Sequence, residues 1–243
     1  MAFKLALAVT AFIALLIGFQ WYVRAQVEAR SNPQRRIYFR RAGVCAILAG
    51  AALFTAGAFS AEIPRAAQQY HRPLVANARA VWGLNAPVAT FAGQIHQESG
   101  WRADARSPYA GGLAQFTPAS AEWIGGLYPE LAERQPFNPA WSLRALVRFD
   151  RWLWERNAAA TDCDRMAFAL ASYNGGEGWL RREQRAARAA GTAPDRWFDA
   201  VALHCLRSRA ACAENRAYPA AILYRHQQLY ASWGPLTPCG KVE

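Results

Sequence analysis

The chain has 243 residues, a formal net charge of +11 and an apolar fraction of 53%. Lys4 and six arginines against Glu28 give +6 within the first 61 residues, which leaves +5 for the rest. That remainder is scattered, with no Lys/Arg block interleaved with aromatics, so nucleic-acid binding is not indicated; a mild positive charge suits an anionic polymer.

From Leu5 to Val23 there is no charged residue, and from Ala42 to Ala61 there is none either. Each stretch is about the ~20 residues a helix requires to cross a bilayer. Residues 1–23 are therefore expected to form a transmembrane helix, with Trp21 and Tyr22 as interfacial aromatics. The segment 24–41 carries Arg24, Arg30, Arg35, Arg36, Arg40 and Arg41 against one Glu28 and is expected to be a cytoplasmic loop. Residues 42–61 read as a second transmembrane helix or as a signal-like segment, with Ala58-Phe59-Ser60 as a small-x-small cleavage site. Both readings export residues 62–243. They differ on whether that part stays anchored in the inner membrane, facing the periplasm, or is released by cleavage near residue 60.

After Ala61 the chain reads as helix after helix. "PRAAQQYHRPLVANARAVWG" places Tyr70, Leu74, Val75, Ala78 and Val81 at helical spacing and stops at Gly83. "PVATFAGQIHQESG" runs from Pro87 to Gly100, with Val88, Phe91, Ala92 and Ile95 on one face and Glu98 near its edge. Thr117-Pro118 and Asn138-Pro139 are cap-and-proline starts, the second helix running to about Asn157. "DCDRMAFALASYNGG" ends at Asn174-Gly175-Gly176, and "YPAAILYRHQQLYASWG" forms the last helix. Convincing strands are scarce, so the exported part is expected to be all-α from about Pro64 to Pro238.

Cys163, Cys205, Cys212 and Cys239 all lie in the exported part, an even number that suits two disulfides in an oxidising compartment. Three pairings exist; Cys205–Cys212 as a local clip and Cys163–Cys239 as a C-terminal staple are favoured over free thiols. Their spacings match no zinc pattern. No HExxH, P-loop or Ser-His-Asp order occurs, and no metal or cofactor is implied.

Glu98 closes an apolar helix face and precedes a glycine turn, "YAGGLAQF". A carboxyl held against apolar walls keeps its proton to higher pH and suits general-acid work. Gly111 and Gly112 let backbone approach a ligand, and Gln115 then aims an amide into a cleft. Tyr173 and Asn174 in "ASYNGG" are candidates for hydrogen bonds opposite the acid. Trp101, Trp123 and Trp179 flank these motifs and offer flat faces for stacking on sugar rings. His96, two residues before Glu98 and so on another face, reads as structural.

These stretches resemble the lytic transglycosylase domain of the soluble lytic transglycosylase type, related to goose-type lysozyme. The resemblance rests on Glu98-Ser99, Ala105-Arg106-Ser107, Gly112-Leu113-Ala114-Gln115 and Pro118, then Ala171 to Gly176, then Glu214, Tyr218 and Ile222-Leu223. It covers about Pro64 to Tyr230. The chain departs from the family pattern in "SPYAGGL", which is one residue short and lacks a glycine before the alanine, and in Ala114, where methionine is common. The resemblance implies a lysozyme-like helical fold and peptidoglycan as substrate. It implies Glu98 as the single acid/base, and cleavage between N-acetylmuramic acid and N-acetylglucosamine by the muramyl 6-hydroxyl, leaving a 1,6-anhydro end. Ser99 would orient substrate or Glu98. Gln115, Tyr173 and Asn174 would bind saccharide, and Tyr218 would reach back to Glu98. Rival readings are a lysozyme with Asp104 as base, a phage lysis enzyme, and an inactive wall-binding module.

Overall fold

The structure, a computed structural model, describes residues 62–240 together with Ile13, Leu16, Ile17, Phe19, Gln20, Tyr22 and Val44. The two apolar segments and the basic loop expected at 1–61 fall, apart from those seven positions, outside the described residues. Among the described residues no helix is long and apolar enough to cross a membrane. The chain divides between Glu62 and Ile63, and the second unit carries the fold described here.

That unit is helical. In chain order it comprises α1 (Arg65–Gln68), α2 (His71–Trp82), α3 (Val88–Ser99), α4 (Pro118–Leu127), α5 (Pro139–Arg156), α6 (Asp162–Gly175), α7 (Glu177–Ala189), α8 (Arg209–Ala220), a π-helical segment (Ala221–His226) and α9 (Gln227–Leu229). Its only bridges among the described residues are Arg106 with Gly111 and Gly111 with Phe116. Caps behave as their chemistry dictates. Thr117 accepts from the Ser120 amide, Asn138 from the Ala140 and Trp141 amides, and Thr161 from Asp164, so orphan N–H groups are satisfied at the starts of α4, α5 and α6. Gly100 ends α3 in the left-handed conformation.

Two helices in the structure have no counterpart in the sequence reading. In α7, Leu180, Glu183 and Ala187 face inward at helical spacing, but an acid in the stripe and many arginines around it mask the pattern. The other is the first half of α8. The sequence reading starts the last helix at Tyr218-Pro219. Instead the helix begins at Ser208, whose hydroxyl accepts from Ala211, and passes through Pro219. A proline inside a helix removes one amide donor and crowds the preceding turn. Here the chain widens immediately afterwards into the π-helical segment, a departure that recurs at functional sites.

α3 is the central helix. The spacing predicts one buried face, yet Ala89, Thr90, Gly93 and Gln94 are buried as well as Val88, Phe91, Ala92 and Ile95. The π-helical segment and α9 lie along it, with α2 beside it. Gly93 makes the close approach possible: a Cβ there would stand 2.8 Å from the Gln227 backbone nitrogen. The buried Thr90 hydroxyl donates to Gln227 (2.7 Å) and accepts from the Thr237 amide (3.0 Å), tying the C-terminal segment across α3.

Hydrophobic packing forms two clusters. One surrounds α3 and includes Phe91, Trp101, Leu146, Tyr230 and Trp233; the other surrounds α6 and includes Leu153, Phe168, Trp197 and Ile222. Trp82, Phe149 and Tyr173 pack against both. Disulfides join Cys163 to Cys239 and Cys205 to Cys212, the favoured pairings of the sequence reading. The first fastens the C-terminal segment to α6. The second closes a short loop ahead of and into α8.

Candidate active site

A cleft of about 590 Å³ opens between the end of α3, the 106–117 turn, α6 and α8. Its lining includes Glu98, Gln115, Tyr173, Asn174, Glu214 and Tyr218, which lie far apart in sequence. Phe116 and Phe149 add an aromatic wall, and Tyr109, 80% exposed, stands at the rim.

Glu98 is partly buried at the last turn of α3. Burial pushes its carboxyl up to about 7; a hydrogen bond from Tyr218 pulls it back, and the Glu214 carboxylate pushes it up again. Tyr218 is itself buried on α8 and donates to Glu98 Oε1. Burial and the neighbouring Glu98 hold the Tyr218 phenol far above its ordinary range, so it stays a neutral donor.

Tyr173 lines the cleft but donates to the Ala114 carbonyl at 2.7 Å, bracing the glycine turn from across the cleft. Gln115 likewise turns its amide nitrogen onto its own loop, to the Ala105 and Gly112 carbonyls at 3.2 and 2.9 Å. It sits at φ 46°, a strained backbone position for a non-glycine residue. Gly112 adopts φ 79°. Gly111 and Gly112 admit a neighbouring loop: a Cβ on Gly111 would stand 2.3 Å from the Phe137 ring, and one on Gly112 1.8 Å from the Pro136 carbonyl.

Asn174 is held from both ends. Its amide donates to Glu214 Oε1 (3.2 Å), and its carbonyl accepts from Asn215 (3.0 Å). Asn215 also accepts from Arg207 (2.6 Å), which pairs with the buried Glu183 (3.1 Å). A polar chain thus runs from inside the fold to the cleft wall.

Trp101, Trp123, Trp179 and Ser99 lie outside the cleft lining. Trp101 is 1% exposed, stacks on Tyr70 and donates its indole N–H to the Tyr230 hydroxyl at 2.6 Å, so it has no face for a sugar. Its φ of 70°, directly after the left-handed Gly100, folds the ring back into the core. Trp179 is outside the cleft lining and lies under the Arg182 guanidinium. Ser99 is 4% exposed, donates to the Ile95 carbonyl and is absent from the cleft wall. His96 is structural, sharing a hydrogen bond with Tyr230 and stacking on His226.

The carboxylates also differ from expectation. Asp104, the base of the lysozyme reading, is outside the lining. The second cleft carboxylate is Glu214, four residues before Tyr218 and so on the same face of α8. Behind the site lies a further acid, Asp150 of α5, wholly buried. Its sequence signal was an acid within the apolar stripe Leu143, Leu146, Val147, Leu153. Among the described residues no cluster of His, Cys, Asp and Glu is arranged to hold a metal ion.

Residues 77–195 match the family model of the Transglycosylase SLT domain. This chain carries a lytic transglycosylase domain. Similar curated proteins include the membrane-bound lytic murein transglycosylase F of Marinobacter nauticus, 39% identical over 106 residues, covering 43% of this chain and 20% of that protein. The protein of the same name from Pasteurella multocida is 32% identical over 120 residues, covering 49% and 22%. That from Vibrio cholerae is also 32% identical over 120 residues, covering 49% and 20%. The chain thus spans about a fifth of the length of these relatives. The family match runs from α2 to just beyond α7 and contains Glu98, Gln115, Tyr173 and Asn174. Glu214 and Tyr218 of the transglycosylase domain's cleft lie past its end, on α8.

Proposed function

We propose that the protein is a peptidoglycan lytic transglycosylase that cleaves the β-1,4 bond between N-acetylmuramic acid and N-acetylglucosamine with Glu98 as acid and base. The observation that carries this reading is the Glu98 carboxyl, raised to about 7 by burial at the wall of an open cleft. The names of the relatives support the substrate class. In the first half-reaction Glu98 gives its proton to the bridging oxygen as the bond from the muramyl C1 breaks, and N-acetylglucosamine leaves with a free 4-hydroxyl. The resulting carboxylate then takes the proton of the muramyl 6-hydroxyl as O6 bonds to C1. The product is a 1,6-anhydro end, the proton returns to Glu98, and no water is consumed. An internal nucleophile is positioned by its own ring, which replaces a second base. Tyr218 occupies Oε1, so proton transfer falls to Oε2.

Glu214 supports a second reading, a hydrolase in which that cleft carboxylate activates water, because two-carboxylate cleavage requires such a partner. Mass analysis of products from digested sacculi decides between them. The transglycosylase reading expects anhydro-muramyl ends; reducing muramyl ends, lost in Glu214→Gln, would establish the hydrolase instead. Release of no fragments at all would leave a wall-binding module.

Tyr218→Phe removes the donor that stabilises the Glu98 anion, so the Glu98 pKa rises further above 7. Activity of the acid form is expected to fall above about pH 7 in the wild type. In Tyr218→Phe that alkaline limb moves up by about one pH unit, within the range of a hydrogen bond to a charged group. A limb that stays in place would remove Tyr218 from the site.

The locale proposed is the periplasmic face of the inner membrane, with the segments at 1–23 and 42–61 as anchor. The arginine-rich loop between them and the two disulfides of the catalytic unit support it. The relatives are named as membrane-bound.

A further inference from the structure

Asp150 is fully buried on α5, and among the described residues no cation pairs with it. Its one partner is Gln94 of α3, whose Nε2 donates to Asp150 Oδ1 at 3.3 Å. The other two polar atoms of this pair, Asp150 Oδ2 and Gln94 Oε1, are both buried acceptors without a donor. Two acceptors left over on one amide and one carboxylate, already joined by the first bond, cannot satisfy each other while the carboxylate is ionised. A proton on Oδ2 resolves both at once, because a protonated carboxyl has an O–H to donate and an amide carbonyl has a lone pair to receive it.

We infer that Asp150 carries a proton in the folded protein and closes a cyclic acid–amide pair with Gln94, acting as a positioning residue for the last turn of α3. The pair has two bonds: Gln94 Nε2–H to Asp150 Oδ1, and Asp150 Oδ2–H to Gln94 Oε1. Gln94 lies one helical turn before Glu98, so anchoring it to α5 fixes the turn that aims Glu98 into the cleft. Two parallel bonds set an orientation that one bond leaves free. The charge state matters equally. The ionisable groups that act on Asp150 or feel it are Glu98 from α3, Tyr173 from α6 and Tyr218 from α8. None supplies a positive charge. A neutral Asp150 leaves Glu98 to titrate with Glu214 as its one acidic neighbour. Burial in the first place, and Glu98 after it, favour the protonated form.

This inference rests on Glu98 being the reacting acid only for its consequence in catalysis; the pair itself is tested without activity. In the full chain carrying Glu98→Gln, which removes the cleft acid of raised pKa, infrared spectroscopy at pH 7 is expected to show the carbonyl stretch of a protonated carboxyl. Adding Asp150→Asn abolishes that band while keeping both bonds, since an asparagine amide pairs with Gln94 in the same ring. In thermal melts, Glu98→Gln loses stability as pH rises above about 4, because the unfolded chain gives up the Asp150 proton that the folded protein keeps, and the double variant loses less. Should Asp150→Asn not fold, Gln94→Leu keeps the carboxyl but takes away its acceptor, and the band moves to higher frequency. In the wild-type background Asp150→Asn leaves the alkaline limb of the pH–rate profile in place. No protonated-carboxyl band at pH 7, or a limb that moves to lower pH because a negative charge has been removed, would overturn the inference. If no cleavage is found for the wild type, the proposed function fails while the infrared result still stands.

Discussion

Glu98→Gln is expected to lose glycan cleavage by at least about a hundredfold, the lower range for removal of a general acid–base, and to be more stable than the wild type at neutral and alkaline pH. The second half follows from linkage. The folded state binds the Glu98 proton more tightly than the unfolded chain does, with a carboxyl raised from 4.5 to about 7. Below pH 4.5 both states are protonated and nothing is lost. Between there and about 7 the unfolded chain ionises first, and stability falls as pH rises. Above 7 the penalty is complete, at about 3 kcal/mol. A glutamine never incurs it. Urea denaturation of the two proteins at pH 4 and pH 8 checks this: curves that coincide at pH 4 and separate at pH 8 are the expected outcome, and equal separation at both would show that Glu98 is not held in a desolvating site. Holding an acid poised for chemistry costs the fold what the variant recovers.

Arg207→Met should be among the most destabilising single changes in the catalytic unit. Arg207 spans Glu183 at 3.1 Å and Asn215 at 2.6 Å, and Glu183 is 1% exposed. Burial pushes the Glu183 carboxyl above its usual range although Arg207 pulls it down, so without Arg207 only the Leu206 backbone hydrogen bond is left to offset the desolvation. Breaking one side of a buried pair costs about 3–5 kcal/mol, a large part of the stability of an ordinary domain. Glu183→Leu combined with Arg207→Met, which removes both charges, is expected to regain most of it; denaturant midpoints of the two variants give the comparison. The double variant should still cleave glycan less well, since Asn215 then loses the partner that orients it towards Asn174 and, through it, Glu214. Recovered stability with unchanged activity would restrict this chain of polar groups to a structural role.

Prolines and caps carried much of the helical reading. Thr117-Pro118 and Asn138-Pro139 open helices because the first amides of a helix lack partners and a proline has none to lose. At Pro219 the proline lies inside a helix instead: α8 packs on α6 and the π-helical segment on α3, and the chain accommodates the ring by widening. The tryptophans were misread for a related reason. Flanking a motif in sequence says nothing of exposure, and Trp101 is turned inward by two successive left-handed residues.

By itself the sequence determined which residues are candidates for the chemistry: an acid at the end of an apolar helix, a glycine turn after it, and Tyr-Asn and Tyr residues downstream at spacings that resemble one family. Those are properties of local order and composition, and a chain records them directly. Only the tertiary structure decided what each residue touches. It set the Tyr218 phenol on Glu98, and turned Gln115 and Tyr173 onto the loop that shapes the cleft. It brought Glu214 and not Asp104 to the cleft wall, and buried Asp150 against Gln94 behind it. Desolvation and hydrogen bonding are sums over neighbours from distant parts of the chain, so the protonation of an acid is fixed when the helices pack and not before.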